Sequence, residues 1–362
     1  MHLFINSSLP HRLPLLALLL TLAACQKADK PDDPLPAVCG ECETCVDYPP
    51  GNNPLSLGYN NNWGYAKPDK PQLRAHPQCN PDNSDEVLYA RTVAGGGAGS
   101  GLYMLNLRTK QERRVLPNPL NLGGPVVGDG GVRLGTREWL VFGSTAGHLW
   151  RVKTNGDSLT QLTTNRQVSY ASPFWSPEGR RIICTQRDGR SDSIVVFSAT
   201  GQRLEALPVP GQFAAPIAWS PDGNRLVFLL GAGFADPATV PTGLFIYDFR
   251  TRQSVRAVSP QALVPGTVGR HAGIDWLVDN RTLLFAGGGG VYSFDTQTQQ
   301  TTLLHKGCLS RQYLELDVSR DGRTVVVQRE DYEVRGTPPA LYGTTDLYLM
   351  NPDGRNERLA LP

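Results

Sequence analysis

The chain has 362 residues, of which 40% are hydrophobic and 19% are charged, and its formal net charge is +2. This is enough apolar material for one large all-β domain or two ordinary domains, and the scattered Lys and Arg residues give no sign of a nucleic-acid-binding surface. The 38 Gly and 29 Pro residues follow no collagen-like period, so they indicate many turns.

Residues 1–24 are predicted to be a signal peptide. Arg12 precedes an apolar run, residues 13–24, that is too short to span a bilayer. Small residues then precede Cys25, and this end resembles the lipobox of bacterial lipoproteins, in which the cysteine carries the lipid. An ordinary signal peptide with a coincidental cysteine is the alternative. No Asp follows Cys25, which resembles outer-membrane lipoproteins, so we expect a membrane anchor at Cys25 and a periplasmic or cell-surface location.

Residues 25–75 are predicted to form an extended or disordered tether, because they are rich in Pro, Asn, Gly and Asp. The tether carries Cys39, Cys42 and Cys45 in a C-x-x-C-x-x-C motif, a spacing that suits disulfides or a metal site. Glu41 and Glu43 between these cysteines disfavour thiolates. An extracytoplasmic compartment favours disulfides, and Cys308 is a candidate partner in the remainder of the chain. We expect no cofactor.

Residues 76–362 repeat a short motif roughly every 40 to 60 residues, a period typical of propeller blades. Two copies are clear, around Trp175-Ser-Pro-Glu-Gly and Trp219-Ser-Pro-Asp-Gly. Two weaker copies surround Trp276 and Val318. Degenerate copies begin at Pro77 and at Pro125, the latter with its turn placed at 128–130, and the six together predict six units.

Each unit is predicted to hold four strands with period-2 patterning, and one such sheet cannot bury both faces alone. Six sheets around an axis bury each other, so the fold class is an all-β, six-bladed β-propeller. The motif resembles the repeats of TolB-like propellers over residues 76–362. TolB proteins carry a small α/β domain where this chain has its tether, so the resemblance does not imply a role in the Tol system.

The long connections are predicted to lie on one face of the propeller. They are residues 93–101, 231–243, 259–273, 306–313 and 330–345. Insertions on one face of a repeat array are typical of a binding face, and neutral drift in surface loops is the alternative. Aromatic, His and Arg side chains at the channel mouth on that face are the predicted ligand contacts. These candidates are His76, Tyr170, Phe213, Arg270, His271, Arg311 and Tyr313.

Enzyme motifs are missing from the sequence: it contains no G-x-S-x-G, no H-E-x-x-H and no phosphate-binding glycine loop. The first hypothesis is therefore a membrane-tethered binding or scaffold propeller whose partner is an envelope protein, a peptide or a glycan. The alternative is an extracytoplasmic enzyme, active on glycans or peptides, with its site in the central channel, since a fold alone does not decide function.

Overall fold

The computed structural model describes residues 65–66, 72–93, 99–116, 127–189, 191–208, 213–231, 243–258, 273–287, 290–307, 311–335 and 340–361. Within these ranges the chain is nearly all β-strand, with one 3-10 turn at Thr136–Glu138. None of the described segments is a helix of the length and apolarity that crossing a membrane requires. The following predicted features lie outside the described residues: the signal peptide, Cys25, Cys39, Cys42, Cys45, Arg270, His271 and Cys308.

The strands fall into six consecutive groups of four. Blade one has β2 (Gln72–Asn80), β3 (Asn83–Val93), β4 (Gly101–Asn106) and β5 (Glu112–Arg114). Blade two has β6 (Val127–Leu134), β7 (Trp139–Ser144), β8 (Leu149–Lys153) and β9 (Thr160–Gln161). Blade three has β10 (Ser169–Trp175), β11 (Arg181–Arg187), β12 (Asp192–Ser198) and β13 (Arg203–Ala206). Blade four has β14 (Phe213–Trp219), β15 (Arg225–Gly231), β16 (Gly243–Asp248) and β17 (Gln253–Val258). Blade five has β18 (Ile274–Trp276), β19 (Thr282–Gly287), β20 (Gly290–Asp295) and β21 (Thr301–Lys306). Blade six has β22 (Arg311–Val318), β23 (Val325–Arg335), β24 (Ala340–Met350) and β25 (Arg358–Leu359).

Each blade is an antiparallel meander whose strands pair in chain order. The first strand of each blade carries the residues that line the central cavity, and the fourth strand is the most exposed. The prediction of an all-β, six-bladed propeller with four-stranded blades is therefore confirmed.

Six hydrophobic clusters hold the ring together, one between each pair of neighbouring blades, including blades six and one. Strand β11 illustrates how one strand serves two of them. Ile182 and Cys184 pack against blade two, whereas Ile183, one residue out of phase, packs against blade four. A strand buried on both faces needs an unbroken apolar run, which explains why these second strands lack polar alternation.

The Ser-Pro-x-Gly motif forms the turn between the first two strands of a blade. In blade four the Ser220 hydroxyl accepts a hydrogen bond from Arg225 N at 2.8 Å, and Gly223 N donates to Ser220 O at 2.8 Å. Gly223 has a φ of +69°, which glycine adopts without strain. Ser220 is fully buried, so its hydroxyl satisfies a backbone N–H that would otherwise have no partner. The motif is thus structural.

Blade two has its turn later than the sequence suggested. Residues 128–130 were expected to form it, but they lie within β6, and the turn is Thr136–Glu138. Gly135 takes the place of the motif serine, and a Cβ there would lie 2.5 Å from the Trp175 ring. Close packing of Trp175 from blade three on Gly135 of blade two therefore decides where the blade-two turn lies.

The ring closes by side-chain contact between blades six and one, whose sheets do not exchange strands. Arg74 of β2 pairs with Asp346 of β24 at 3.1 Å, and Lys110 Nζ donates to Ala360 O at 3.0 Å. A short strand, β1 (Tyr65–Ala66), also pairs in parallel with β24 at Tyr342–Gly343. The segment before the propeller therefore contributes a strand to the outer edge of blade six.

The predicted loop 330–345 is largely strand. β23 and β24 pair from Val325 and Met350 out to Arg335 and Ala340, which leaves only residues 336–339 between them. Glu330, expected in an exposed loop, is buried and accepts hydrogen bonds from Tyr332 and from Thr345. Paired partners for this acidic side chain allow the hairpin to continue through a segment that was expected to be a loop.

Side chains at the channel edge of the first strands link neighbouring blades. The Gln78 amide of blade one accepts from Leu134 N at 2.8 Å and donates to Val132 O at 2.7 Å. Asp317 of blade six accepts from Cys79 N at 2.6 Å. Because these first strands have a free edge toward the axis, each such bond satisfies an edge N–H and joins two blades.

We expect Gln78→Leu to lower the free energy of unfolding by about 1–2 kcal/mol, because Leu134 N–H and Val132 C=O would lose their buried partners. Urea denaturation would measure the change. Gln111→Leu, on an exposed turn residue, is the matched control and should change stability by less than about 0.5 kcal/mol. Equal effects of the two substitutions would contradict a bond between blades one and two.

Candidate functional site

A cavity of 590 Å³ lies at the centre of the ring, and all six blades contribute to its wall. The wall consists of the first strand of each blade and the turn that follows it. One end of the cavity is surrounded by residues of these turns, namely Pro81, Pro177, Pro221 and Val278. We call this cavity the funnel. This volume is within the range of pockets that hold a ligand or a short peptide segment.

The funnel opens on the face opposite the one predicted to bind ligand. Strand β2 runs from Gln72, paired with Val93 beside the predicted long loop 93–101, to Asn80, paired with Asn83 at the short turn. The turn residues that line the funnel are at this second end. Most of the long connections on the other face fall outside the described residues, so their role in binding stays a prediction.

The residue before the tryptophan position of each first strand differs between the two sides of the funnel. In blades two to four this residue is Arg133, Phe174 and Ala218, and in blades five and six it is Asp275 and Asp317. At this one position the side chains are basic or apolar on blades two to four and acidic on blades five and six. Nearer the turns the lining also includes Glu178, Asp222 and Arg320. In a six-membered ring, blade two faces blade five, so a bound segment would contact side chains of both kinds.

Asp275 and Asp317 form a buried acidic pair. Asp275 accepts from Val318 N at 2.9 Å and from Trp276 N at 2.8 Å. Burial raises the pKa of Asp275 well above its usual value, and the neighbouring Asp317 raises it further. Burial also raises the pKa of Asp317, to about 6, although hydrogen bonds from Cys79 N and from Asp275 oppose the shift. The two carboxyls therefore titrate as a coupled pair and keep a proton between them to a higher pH than an ordinary aspartate does.

Arg133 is a cation in the part of the funnel wall that blade two supplies. Its guanidinium lies 4.5 Å above the Phe174 ring. Its Nε is buried and has no hydrogen-bond partner among the described residues. Burial lowers the pKa of Arg133, while Glu315 and Asp317 raise it through charge alone. The group remains ionised at any physiological pH, so the funnel contains a cation whose hydrogen-bonding capacity is not fully used.

The tryptophans of the motif are parts of the wall and offer no open ring face. Trp175, Trp219 and Trp276 are 8%, 7% and 1% exposed. Arg181 stacks on Trp219 with 4.7 Å to the ring centre, and Arg225 stacks on Trp276 with 5.0 Å. These rings are covered by the preceding blade and therefore hold blades together.

His76, a predicted contact residue, lies beside the cavity. Its φ is +57°, in the left-handed region, and it precedes Pro77 at a bulge in β2. The His76 Nδ1 lies 2.9 Å from a carboxylate oxygen of Glu315, which lines the funnel. The bulge thus brings a blade-one imidazole to a blade-six carboxylate.

The other predicted contact residues are not brought together with His76. Tyr170 is buried between blades two and three, edge-on to Phe197 at 5.4 Å. Tyr313 is fully buried and its hydroxyl donates to Glu357 at 2.9 Å, while Arg311 pairs with Asp331 at 3.1 Å. Phe213 begins β14, but its side chain is outside the described residues. Their role as ligand contacts stays a prediction.

Two cysteines lie within the described ranges, and both are buried free thiols. Cys184 is fully buried in β11, and burial raises its pKa. Cys79 lines the funnel, and burial followed by the Asp317 charge raises its pKa well above the usual value. Thiols of raised pKa are weak nucleophiles and weak metal ligands. Among the described residues no three His, Cys, Asp or Glu side chains group as metal ligands.

Comparison with known proteins yields fold relatives. No protein-family model matches the chain. A segment of 85 residues is 29% identical to the Tol-Pal system protein TolB of Nitratidesulfovibrio vulgaris, and it covers 24% of this chain and 19% of that relative. The chain thus matches about a fifth of the length of this curated relative.

Two solved structures share the architecture. A putative TolB from Agrobacterium tumefaciens is 17% identical with a TM-score of 0.54, over 71% of this chain and 86% of that one. The fold is that of a TolB-like propeller. Puromycin hydrolase is 14% identical with a TM-score of 0.50, over 80% of this chain and 53% of that one. At these identities the likeness concerns the fold alone.

Proposed function

We propose that this chain is a membrane-tethered, extracytoplasmic binding propeller that holds a peptide segment of an envelope protein in its funnel. The observation that carries the proposal is the funnel itself, a cavity of 590 Å³ to which every blade contributes and whose lining holds charged side chains of both signs. A cavity with apolar rim residues and a few charged groups inside is typical of ligand recognition. A propeller supplies it on a rigid ring, so little ordering is needed when a ligand binds.

The lining favours a peptide over a glycan. Sugars pack on exposed aromatic faces, whereas Trp175, Trp219 and Trp276 are buried beneath neighbouring side chains. The rim instead presents proline and aliphatic side chains, of which Val278 is 47% exposed. Such surfaces bury apolar side chains of a peptide.

The location rests on the amino-terminal segment. The lipobox-like residues before Cys25 support an anchor in the outer membrane, with the propeller in the periplasm or at the cell surface. The partial similarity to a Tol-Pal system protein supports a cell-envelope location.

Photo-crosslinking in the intact envelope tests the proposal. A photoreactive phenylalanine analogue would replace Val278 at the funnel rim, Gln72 at the opposite face, or Val255 on the outermost strand of blade four. Each site is exposed and lies on a described strand or turn. We expect a discrete protein adduct from position 278 and none from position 255, because only the rim contacts the bound segment.

The same experiment separates the two faces. An adduct from position 72 alone would support the long-loop face and contradict a funnel site. Adducts at equal yield from all three positions would indicate random collision and would also contradict it. Arg311→Ala is the companion variant for the long-loop face. Tyr313→Ala is unsuitable for that purpose, because Tyr313 is fully buried and its loss would destabilise the protein.

A second candidate function is an enzyme active on glycans or peptides, and one observation favours it. Asp275 and Asp317 share a buried site in the funnel and have raised pKa values, as acid–base pairs in hydrolases do. Both carboxyls also bind backbone N–H groups of the next blade, which is a structural use. Turnover of oligosaccharide or peptide pools that Asp317→Asn abolishes would support the enzyme, and no turnover by the wild type would reject it.

A further inference from the structure

The clearest unused binding capacity in the described part of the chain is the Arg133 guanidinium. It lies in the funnel wall on β6, and its Nε is buried without a hydrogen-bond partner among the described residues. Buried donors in native proteins are nearly always paired, and an unpaired one on a charged group carries a large cost. The Nε is itself covered, but the terminal nitrogens also have no hydrogen bond among the described residues, so they are the candidate ligand contacts.

Two carboxylates are near enough to act on Arg133 by charge, yet neither bonds to it. Glu315 is held by His76 at 2.9 Å, and Asp317 accepts from Cys79 N at 2.6 Å. Both acids raise the pKa of Arg133 through charge alone. Because Glu315 and Asp317 bond to groups of blade one, the guanidinium nitrogens of Arg133 can donate hydrogen bonds to another acceptor.

The guanidinium also has a fixed support. Phe174, the equivalent residue of blade three, lies beneath it with 4.5 Å to the ring centre. Stacking on an aromatic face holds the plane of an arginine and leaves its edge free. That edge presents parallel N–H groups whose spacing matches the two oxygens of a carboxylate.

We infer that Arg133, supported by Phe174, binds the carboxylate of an Asp or Glu side chain in the peptide segment that the funnel holds. This inference rests on the proposed function, since it names the chemistry of a contact within the same cavity. The carboxyls of blades five and six that share this cavity, among them Glu315 and Asp317, then disfavour a ligand with a second acidic group. The site thereby selects segments by the number of their acidic groups as well as by the sign of their charge.

The test uses the full-length, detergent-solubilised protein on an array of synthetic decapeptides. Each random sequence is present in two forms that differ only by Glu or Gln at one central position, and tri-galacturonate serves as the glycan probe. We expect the wild type to retain a subset of Glu peptides roughly 10- to 100-fold better than their Gln twins. Arg133→Gln should remove that preference and leave the binding of Gln twins unchanged.

Two further variants make the result specific. Arg133→Lys should keep part of the preference, because lysine supplies a point charge without the planar fork. Arg113→Gln is the matched control, an exposed arginine on the outer strand of blade one paired with Glu138, and it should keep the full preference. Thermal unfolding of all variants would verify that they fold.

Each other outcome overturns the inference in a distinguishable way. A Glu preference that survives in Arg133→Gln would reject Arg133 as the contact and leave a peptide-binding funnel intact. Binding of peptides with no difference between Glu and Gln twins would reject carboxylate recognition. Retention of tri-galacturonate with no peptide bound would reject both the acidic-peptide ligand and the proposed function, and would assign the site to an acidic glycan.

Discussion

Trp276→Ala is expected to lower the free energy of unfolding by about 3–5 kcal/mol, which corresponds to a drop in Tm of roughly 6–15 °C. Trp276 is 1% exposed and lies in the cluster between blades four and five. Its removal leaves a cavity where the ring was and takes the stacking surface from Arg225, whose Nε is buried without a partner among the described residues. Thermal unfolding followed by circular dichroism measures the effect.

Val278→Ala is the control for this substitution. Val278 lies two positions along the chain and is 47% exposed, so losing its methyl groups should change Tm by no more than about 2 °C. A Trp276→Ala variant with an unchanged Tm would mean that blades four and five are not packed through this ring.

The repeats allowed the number of blades and their strands to be predicted, because tryptophan, turn glycine and apolar runs are local signals. Trp175, Trp219 and Trp276 each end a first strand as expected. Blade two lacks the tryptophan, and there the turn was misplaced. The position of this turn is decided by the contact of Gly135 with Trp175 of the next blade. A contact between two repeats cannot be predicted from the sequence of one repeat.

The funnel was harder to predict because bulges change which residues face the axis. The pairing of β10 with β11 shifts between Ala171 and Phe174, and that of β2 with β3 shifts between Ala75 and Gln78. A shift by one residue exchanges the two faces of a strand, so alternation cannot identify the lining side chains. The available signal was the charged residue before the tryptophan position, as at Asp275, in a strand that is otherwise apolar.

The ligand contacts at the channel mouth were predicted from residue type and from their position near the start of the first strands. Aromatic and basic residues near strand starts were taken as ligand contacts, but Tyr170 and Tyr313 pack between blades. Tyr313 reaches Glu357 near the end of the chain, 44 residues later. A contact over such a separation forms only in the closed ring, so local sequence patterns cannot predict it.

Asp275→Asn is expected to raise the stability of the protein at pH 7.5 by about 1–3 kcal/mol. The asparagine carbonyl can still accept from Val318 N and its amide can donate to Asp317, while the bond from Trp276 N to the second oxygen is lost. The wild-type pair must instead keep a proton at a pH where the unfolded chain has released it. Urea denaturation at several pH values measures the difference.

The sign of the pH dependence follows from the raised pKa values. Between the unfolded value of 3.8 and the raised pKa values of the folded pair, about 6 for Asp317, the folded state binds more protons. Wild-type stability from this pair is therefore greatest below pH 3.8 and falls as pH rises through that window. The advantage of Asp275→Asn should accordingly shrink toward zero near pH 4.

Asp321→Asn provides a control of opposite sign. The Ser319 hydroxyl donates to Asp321 at 2.7 Å and lowers its pKa, so its charged form stabilises the fold. Loss of that charge should slightly destabilise the protein at pH 7.5 and have less effect as pH falls through the lowered pKa. If Asp275→Asn were destabilising at pH 7.5, or its effect the same at every pH, the shared proton would be excluded.

A stabilised Asp275→Asn variant would also bear on function. It would mean that the chain keeps a second acid in the funnel at a cost in stability, which functional sites tolerate and purely structural positions do not. The peptide array then separates the two uses of that acid. Because the pair has the same charge in Asp275→Asn as in the protonated wild type, a change of peptide selectivity in this variant would assign recognition to the hydrogen bonds of the pair and not to its charge.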